Sequence, residues 1–418
     1  MTSEPVSLSK QRRAAKARLP AFIYDFVAGG VGYETCLDAN RRSLDAVKLK
    51  PRRLMDGQAP DCASKLFGRR YDAPFGVAPI GFGNVIWPGM ADILAAAAGR
   101  HNVPFIASTY TLSSPERIHE LARGNAWLQL YVPKSPDIEL AVLNRAKAIG
   151  YDVLVVTVDC PKAERRTSET RPGFSLAPKH DLATLAQVAA RPLWAVKFMR
   201  GRKAGMGILE PFLPVGSNLR DSAKLLTGLV SEHVSPERLK RIRDRWPGKL
   251  VVKGVLAGED AAKCAAIGAD GIVVSNHGGR QLDAAPAALE VIGEVRRAAG
   301  AGIAILADGG VLSGLDVARV IASGADFAFA GRAFVYGVAG NGSAGADQIF
   351  SFFKRDLAAT LTQIGCTEPA QLPSFLMTRR PAGRAEDARY PAAGSSGTKA
   401  IGRARRSRSA PGSLPDRA

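Results

Sequence analysis

Residues 270–283 place a histidine and an arginine directly after a strongly apolar run. The run Ile272–Val274 has the pattern of a buried strand, and the letters SNHGGRQLD follow it. The imidazole of His277 can accept and return a proton near neutral pH, and the guanidinium of Arg280 can hold a carboxylate through two hydrogen bonds. The two glycines between them leave room for a planar ligand. A single histidine after a strand more often caps a turn, so the other strand ends must carry the argument.

Eight short apolar runs follow one another from Phe75 onward, separated by amphipathic stretches of helical length. Such alternation predicts a parallel α/β fold, and eight strands with intervening helices close into a (β/α)8 TIM barrel. The carboxyl ends of the strands then share one mouth, where barrels carry their reactive residues. The runs are residues 75–79, 104–108, 126–132, 152–159, 250–255, 271–275, 303–310 and 326–332.

Each of the eight runs ends in a residue that could contact a ligand. Any one of them could simply cap a strand or begin a loop. Their occurrence at all eight ends favours a single shared site. In chain order they are Gly81, Ser108, Gln129 with Tyr131, Thr157 with Asp159, Lys253, Ser275 with His277, Asp308 with Gly309 and Gly310, and Gly331 with Arg332.

The barrel is expected over residues 71–378, with further elements around it. Residues 1–70 are expected to form a helical segment packed on the barrel, since apolar residues at helical spacing lead up to a glycine pair. About ninety residues separate the fourth run from the fifth, far more than one connection needs, so we expect an insertion over 172–248. A long closing helix is expected over 344–364.

Basic residues outnumber acidic ones by 57 to 38, a formal net charge of +19. Residues 379–418 hold ten basic and three acidic residues, a net of +7. This stretch is rich in Pro, Gly, Ser and Arg and is predicted to be a disordered basic tail. It could tether phosphate-bearing partners or remain a solvated extension, and both interpretations stay open. No specific nucleic-acid role is expected, because the tail has one aromatic residue, Tyr390.

The remaining composition bears on location and metals. No apolar run reaches bilayer length and no signal peptide precedes the helical segment, so a cytoplasmic protein is expected. Residues 191–207 mix Trp194, Phe198 and Met199 with five basic residues. They could contact the inner face of the cell membrane, act as a mobile lid, or contact a partner. The five cysteines are scattered without a CxxC pair, so neither disulfides nor a metal site is indicated.

The strings SNHGGRQLD, VVKGV and ADGG together resemble the FMN-dependent 2-hydroxy acid oxidoreductases, the family of glycolate oxidase, flavin L-lactate dehydrogenase and mandelate dehydrogenase. The resemblance runs from roughly Leu19 to Leu372. It implies that His277 is the catalytic base, that Asp159 orients and stabilises its imidazole, and that Tyr131 donates a hydrogen bond to the substrate oxygen. The family also suggests a homotetramer.

A hydroxy acid is held through its carboxylate, which calls for cationic side chains. Arg280 and Arg166 are the predicted clamps, because guanidinium pairs with carboxylate through two hydrogen bonds and keeps its charge. Arg165 could replace Arg166. The resemblance adds Tyr24 as a substrate contact. Where the family commonly has a second tyrosine two residues later, this chain has Phe26, so binding would depend more on the arginines.

Oxidation also needs an acceptor for two electrons, which protein side chains cannot supply. No GxGxxG follows a first strand, which disfavours a dinucleotide site, whereas ADGG and AGRA after the last two runs suit the phosphate of a mononucleotide. FMN is therefore the predicted cofactor. The last two runs place Gly309, Gly310, Gly331 and Arg332 at the phosphate, and the resemblance implies flavin contacts from Gly81, Ser108, Gln129, Thr157, Lys253, Ser275, Asp308, Gly310, Gly331 and Arg332. Leu312 replaces an arginine that the family often places near the phosphate, which would weaken cofactor binding.

The predicted function is FMN-dependent oxidation of an L-2-hydroxy acid, lactate-like or mandelate-like, to the 2-oxo acid, with electrons passing to a quinone or another carrier. Tyr110, where glycolate oxidase has tryptophan, makes glycolate a less suitable substrate. Two alternatives stay open: an oxidase that reduces oxygen, and a flavin-binding barrel that has lost oxidation.

Overall fold

The computed structural model describes residues 7–54, 59–161, 182–200, 207–212, 230 and 233–377. Within these ranges eight parallel strands pair in chain order, and the last pairs with the first, so that the sheet closes. All eight predicted runs form strands, and the (β/α)8 TIM barrel is confirmed. The strands are β1 (Ser64–Leu66) and β2 (Arg69–Tyr71), a separate hairpin, then the barrel strands β3 (Phe75–Val77), β4 (Phe105–Ala107), β5 (Ala126–Leu130), β6 (Val153–Thr157), β7 (Lys249–Val255), β8 (Gly271–Val274), β9 (Ala304–Ala307) and β10 (Phe327–Ala330).

Helices precede, surround and follow the barrel. They are α1 (Leu8–Arg18), α2 (Ala21–Ala28), α3 (Thr35–Ala46), α4 (Gly83–Ile86), α5 (Met90–Arg100), α6 (Pro115–Leu121), α7 (Pro136–Ile149), α8 (Leu182–Ala189), α9 (Pro192–Arg200), α10 (Pro236–Arg245), α11 (Gly258–Ile267), α12 (Ala288–Ala299), α13 (Gly314–Ala322) and α14 (Arg332–Ile364), with 3-10 turns at Gly207–Phe212 and Pro369–Phe375. The predicted closing helix is present, but it begins earlier, at Arg332, and breaks at Asn341 and Gly342.

Three barrel helices share one local device at their start. A Ser-Pro pair opens α6, α7 and α10, at Ser114, Ser135 and Ser235. Each serine oxygen accepts a hydrogen bond from the backbone N–H three residues later, and the proline occupies a position whose N–H would have no partner in the helix. These caps fix the residue at which each loop ends and the helix on the outside of the barrel begins.

The hairpin β1–β2 closes the barrel at the amino ends of the strands. Its turn places Phe67 and Gly68 at φ values of 50° and 81°. The ring of Phe67 packs 5.6 Å from that of Trp127, and Tyr71 packs 5.6 Å from Phe327. Residues 1–70 were expected to form a helical segment, so this hairpin was not predicted. Apolar side chains fill the interior at this end, which leaves the opposite mouth for polar groups.

Part of the predicted insertion is described, and it packs beside the N-terminal helices. The indole N–H of Trp194, on α9, donates to the carbonyl of Ile86 at 2.8 Å, and its ring meets Phe22 edge-on at 6.5 Å. The side chain of Gln187, on α8, accepts from the N–H of Phe22. The predicted tail and the candidate clamps Arg165 and Arg166 lie outside the described residues.

Candidate active site

Six of the predicted residues are buried polar groups toward the carboxyl ends of successive strands. The amide of Gln129 donates to Thr157 at 3.0 Å, and the ammonium of Lys253 donates to Ser275 at 2.7 Å. Each sits in an otherwise apolar core, where a polar atom needs a partner. The six, one in the last part of each strand from β4 to β9 or directly after it, are Ser108, Gln129, Thr157, Lys253, Ser275 and Asp308, all less than a tenth exposed.

Lys253 lies at the centre of this group and forms an ion pair with Asp308. Its Nζ is 3.2 Å from Asp308 Oδ2. Burial alone would lower the pKa of Lys253, but the negative charges of Asp308 and Asp159 outweigh it and the pKa is raised, so the side chain stays a cation. The other oxygen of Asp308, Oδ1, is buried and has no hydrogen-bond partner among the described residues.

His277 and Asp159 are 118 residues apart and meet at the mouth. The Nδ1 of His277 lies 3.1 Å from Asp159 Oδ1 and 3.2 Å from Oδ2. Burial would raise the pKa of Asp159, but the nearby charges of His277 and Lys253 lower it to about 2. Asp159 therefore remains an anion that holds the imidazole by Nδ1, which leaves Nε2 for proton exchange.

The backbone around His277 is unusual for a residue with a side chain. His277, Gly278 and Gly279 have successive φ values of 58°, 67° and 73°. A left-handed conformation at a non-glycine residue costs energy and is often found at functional sites. The N–H of His277 donates to Ser275 at 3.0 Å, which ties the turn to the oxygen that also accepts from Lys253.

Three aromatic rings form one wall of the mouth. Tyr131 stacks on Tyr110 with ring centres 4.9 Å apart, and Tyr110 stacks on Phe82 at 5.2 Å. Gly81 lies beside them, because a Cβ built there would be 3.7 Å from both Ser108 Oγ and Tyr110 Cβ. Burial raises the pKa of Tyr131 well above its usual value, so its hydroxyl keeps the proton that it could donate.

Cys160 is a site residue that the sequence analysis missed. Its Sγ lies 3.7 Å from His277 Nδ1 and 3.5 Å from Asp159 Oδ1, and it accepts from the amide of Gln281 at 2.9 Å. In the sequence it is one of five scattered cysteines without a CxxC pair, a pattern that indicates no site. The feature of the sequence that could have pointed to Cys160 is its position directly after Asp159, at the end of the fourth predicted run.

Two glycines and an asparagine pair that we had not singled out also shape the mouth. A Cβ at Gly254 would lie 2.5 Å from Asp159 Cβ, so only glycine lets Asp159 approach β7. Asn276 and Asn40 exchange two hydrogen bonds of 2.9 and 2.8 Å, which join α3 to the turn of His277. Gly30 approaches Gly279 so closely that a Cβ would meet its carbonyl oxygen at 2.7 Å.

The predicted substrate clamp Arg280 and the predicted phosphate ligand Arg332 both bind carbonyls at the end of α2. Arg280 donates to Phe26 at 2.8 Å and Gly29 at 3.2 Å, and its guanidinium lies 4.7 Å from the Phe26 ring centre. Arg332 donates to the carbonyls of Val27, Gly29 and Gly278. Cations are favourable at a helix C-terminus, which explains the arrangement. Their predicted ligand contacts stay predictions.

None of the contacts described for Tyr24 is with a residue of the mouth. Its hydroxyl accepts from Arg12 at 3.0 Å, and its ring stacks on Tyr336 at 6.1 Å. The predicted phosphate loops are formed by glycines after β9 and β10. Gly309 and Gly310 have φ values of 98° and 83°, and a Cβ at Gly331, before α14, would meet nothing within 4 Å. Open space at a helix N-terminus suits an anion.

Comparison with known proteins identifies relatives along most of the chain. Residues 15–379 match the family described as FMN-dependent dehydrogenase. The chain is 35% identical over 370 residues to an L-lactate dehydrogenase of Caulobacter vibrioides (strain NA1000 / CB15N), covering 88% of this chain and 96% of the relative. It is 33% identical over 378 residues to the (S)-mandelate dehydrogenase of Pseudomonas putida, covering 90% and 95%.

Solved structures give the same grouping. The crystal structure of the monotopic membrane protein (S)-mandelate dehydrogenase superposes with a TM-score of 0.84 at 32% identity, covering 88% of this chain and 98% of that one. A mandelate oxidase variant with 2-hydroxy-phenylacetamide superposes with a TM-score of 0.73 at 31% identity, covering 88% and 96%.

Proposed function

This chain belongs to the family of FMN-dependent dehydrogenases, and from that membership we propose that it oxidises an L-2-hydroxy acid of the lactate or mandelate type to the 2-oxo acid. The observation that carries the proposal is the pairing of His277 with Asp159 at 3.1 Å beside the buried cation of Lys253. A base and a stabilised positive charge then lie at one mouth, as the loss of a proton from the hydroxyl and of two electrons from the α-carbon requires.

FMN is the cofactor of this family, and when bound it accepts the two electrons of the oxidation. The residues of the mouth fit it. Asp308 Oδ1 is a buried acceptor without a partner in the described part of the chain, and Lys253 would place a cation beside the flavin. We propose that the following residues contact the ring or the phosphate of FMN: Gly81, Ser108, Gln129, Thr157, Lys253, Ser275, Asp308, Gly309, Gly310, Gly331 and Arg332.

The protein's own groups divide the proton chemistry between them. His277 takes the hydroxyl proton on Nε2, and Asp159 stabilises the imidazolium that results. Tyr131, held neutral by burial, donates a hydrogen bond to the substrate oxygen. Arg280, held by the Phe26 and Gly29 carbonyls, faces the carboxylate, and Arg166 is the proposed second clamp.

The aromatic wall supports a substrate larger than glycolate. Phe82, Tyr110 and Tyr131 present stacked rings, and such surfaces favour apolar or aromatic substituents. Anaerobic stopped-flow mixing with L-lactate, L-mandelate and their D enantiomers tests this proposal. We expect loss of flavin absorbance with an L acid and none with the D acids. No bleaching with any L-2-hydroxy acid would show that the barrel has lost oxidation.

We also propose that the reduced enzyme passes electrons to a quinone at a membrane surface. Helix α9 exposes Leu193, Val196 and Met199 at three-residue spacing, on one face, with Lys197 and Arg200 alongside. A relative of similar structure is a monotopic membrane protein. Among the helices that the structure describes, none is long and apolar enough to cross a bilayer, so contact would be interfacial.

Vesicle flotation and reoxidation kinetics test this second step. Leu193→Asp with Met199→Asp should reduce binding to anionic phospholipid vesicles at least tenfold, because burying a carboxylate in the interface is costly. Leu140→Asp, an exposed leucine on α7, is the matched control and should bind like the wild type. Equal vesicle binding by the wild type, the α9 double variant and Leu140→Asp would show that α9 does not contact the membrane. Rapid reoxidation by oxygen alone would instead identify an oxidase.

A further inference from the structure

A carboxylate, a thiol and an imidazole converge at the mouth of the barrel. The Nδ1 of His277 lies 3.1 Å from Asp159 Oδ1 and 3.7 Å from Cys160 Sγ, and this sulfur lies 3.5 Å from Asp159 Oδ1. One atom from each residue, O, S and N, therefore marks the corner of a nearly equilateral triangle. Among the residues that the structure describes, no other group of three such side chains comes this close together.

The size of the triangle matches the coordination shell of zinc. Zinc binds sulfur at about 2.3 Å and nitrogen or oxygen at about 2.0 Å with tetrahedral angles, which places ligand atoms about 3.3 to 3.6 Å apart. The three measured separations fall within a few tenths of an ångström of these values. A carboxylate and a thiolate would also balance the two positive charges of the cation. Three ligands leave a fourth position for water, as in zinc sites that are open to solvent.

We propose that Asp159, Cys160 and His277 form a binding site for a thiophilic divalent cation such as Zn²⁺, and that the bound cation switches off proton transfer. On binding, the thiol of Cys160 releases its proton to solvent and the sulfur bonds to the metal. The metal bonds to Nδ1 of His277, so the ring proton moves to Nε2. Nε2 then has no lone pair for a substrate proton, and Asp159 is bound to the metal.

The surroundings of the triangle are compatible with entry and with holding the cation. The side chains of His277 and Asp159 are 22% and 12% exposed, so solvent reaches them. The amide of Gln281 donates to Cys160 Sγ at 2.9 Å and would support the charge of a thiolate. The positive charge of Lys253 is balanced by its ion pair with Asp308.

Direct binding tests the site without reference to catalysis. Zn²⁺ is titrated by calorimetry into the full-length, FMN-loaded protein and into Cys160→Ser, with Cys62→Ser as the matched control at a partly buried cysteine elsewhere. We expect one tight site per chain in the wild type and in Cys62→Ser, and at least tenfold weaker binding in Cys160→Ser. Cd²⁺ should give an ultraviolet thiolate-to-metal band in the first two proteins and none in the third.

Inhibition is measured separately, and this part rests on the proposed oxidation of a hydroxy acid. Stoichiometric Zn²⁺ should lower the rate of flavin reduction at least tenfold in the wild type, and a chelator should restore it. The rate of flavin reduction by Cys160→Ser should be the same with and without Zn²⁺. Equal Zn²⁺ affinity in the wild type and Cys160→Ser, or no cadmium thiolate band in the wild type, overturns the site. If the metal binds as expected while no L acid reduces the flavin, the proposed function fails and the site stands.

Discussion

Lys253 and Asp308 form an ion pair inside the barrel across strands β7 and β9, which are not neighbours in the sheet. Their charged atoms lie 3.2 Å apart, and the side chains are only 4% and 9% exposed. Ser275, directly after β8, the strand between them, accepts from the same ammonium at 2.7 Å. The ammonium and the carboxylate are therefore both buried, and water cannot replace either as the partner of the other.

Lys253→Met should destabilise the protein, because it leaves the Asp308 carboxylate buried without a counter-charge. Breaking a buried pair in this way costs about 3 to 5 kcal/mol. Urea unfolding of the FMN-free proteins measures the loss without a contribution from cofactor binding. The double variant Lys253→Met with Asp308→Asn is the control and should recover most of the loss. A single variant within about 1 kcal/mol of the wild type would show that the pair is not structurally important.

His277→Ala should retain FMN and lose substrate oxidation. General base catalysis contributes about 10² to 10⁴ in rate, so the rate constant of flavin reduction should fall by that factor. Anaerobic stopped-flow absorbance gives the rate, and the visible spectrum gives the flavin content. His101→Ala, where the imidazole contacts Asp347 on α14, is the control and should reduce at the wild-type rate. Retention of most of the rate by His277→Ala would assign the base elsewhere.

Asp159→Asn should remove a pH-dependent part of the stability. The pKa of Asp159 is lowered in the folded protein from 3.8 to about 2. The carboxylate therefore contributes stability that is fully present above about pH 4 and is lost as the pH falls through about 2, with a total of about 2 kcal/mol. The difference in unfolding free energy between the wild type and Asp159→Asn should shrink by that amount as the pH falls from about 5 to about 2. Urea titrations across this range measure it, and a difference independent of pH would contradict it.

Asp283→Ala should loosen the start of α3 from the segment that carries His277. The Asp283 carboxylate accepts from the backbone N–H of Tyr33 at 2.8 Å and of Cys36 at 3.1 Å. Losing such a cap costs about 1 kcal/mol. Hydrogen exchange of these two amides should quicken, while Asp283→Asn, which keeps one acceptor oxygen, should show a smaller effect. Unchanged exchange in the alanine variant would mean that other contacts hold α3.

The barrel itself was predictable because each strand is buried on both faces and its letters form an apolar run. The hairpin at Ser64–Tyr71 was not predictable, since its strands are three residues long and mostly polar. Only the closed barrel gives Phe67 and Tyr71 something to pack against. The presence of Cys160 in the site was not predicted, for a related reason. Its meaning depends on the His277 ring, which is 117 residues away in the chain.

That the residues at the strand ends share one mouth could be derived from the letters, since parallel strands in one barrel must all end on the same side. The directions of their side chains depend on the folded chain. The left-handed backbone of His277 turns Nδ1 toward Asp159, and the close approach of Gly254 makes room for that carboxylate. Arg280 and Arg332 reach carbonyls of Phe26 and Gly29 that lie more than 250 residues earlier. Such orientations follow from contacts between distant segments, and a local pattern of residues does not contain them.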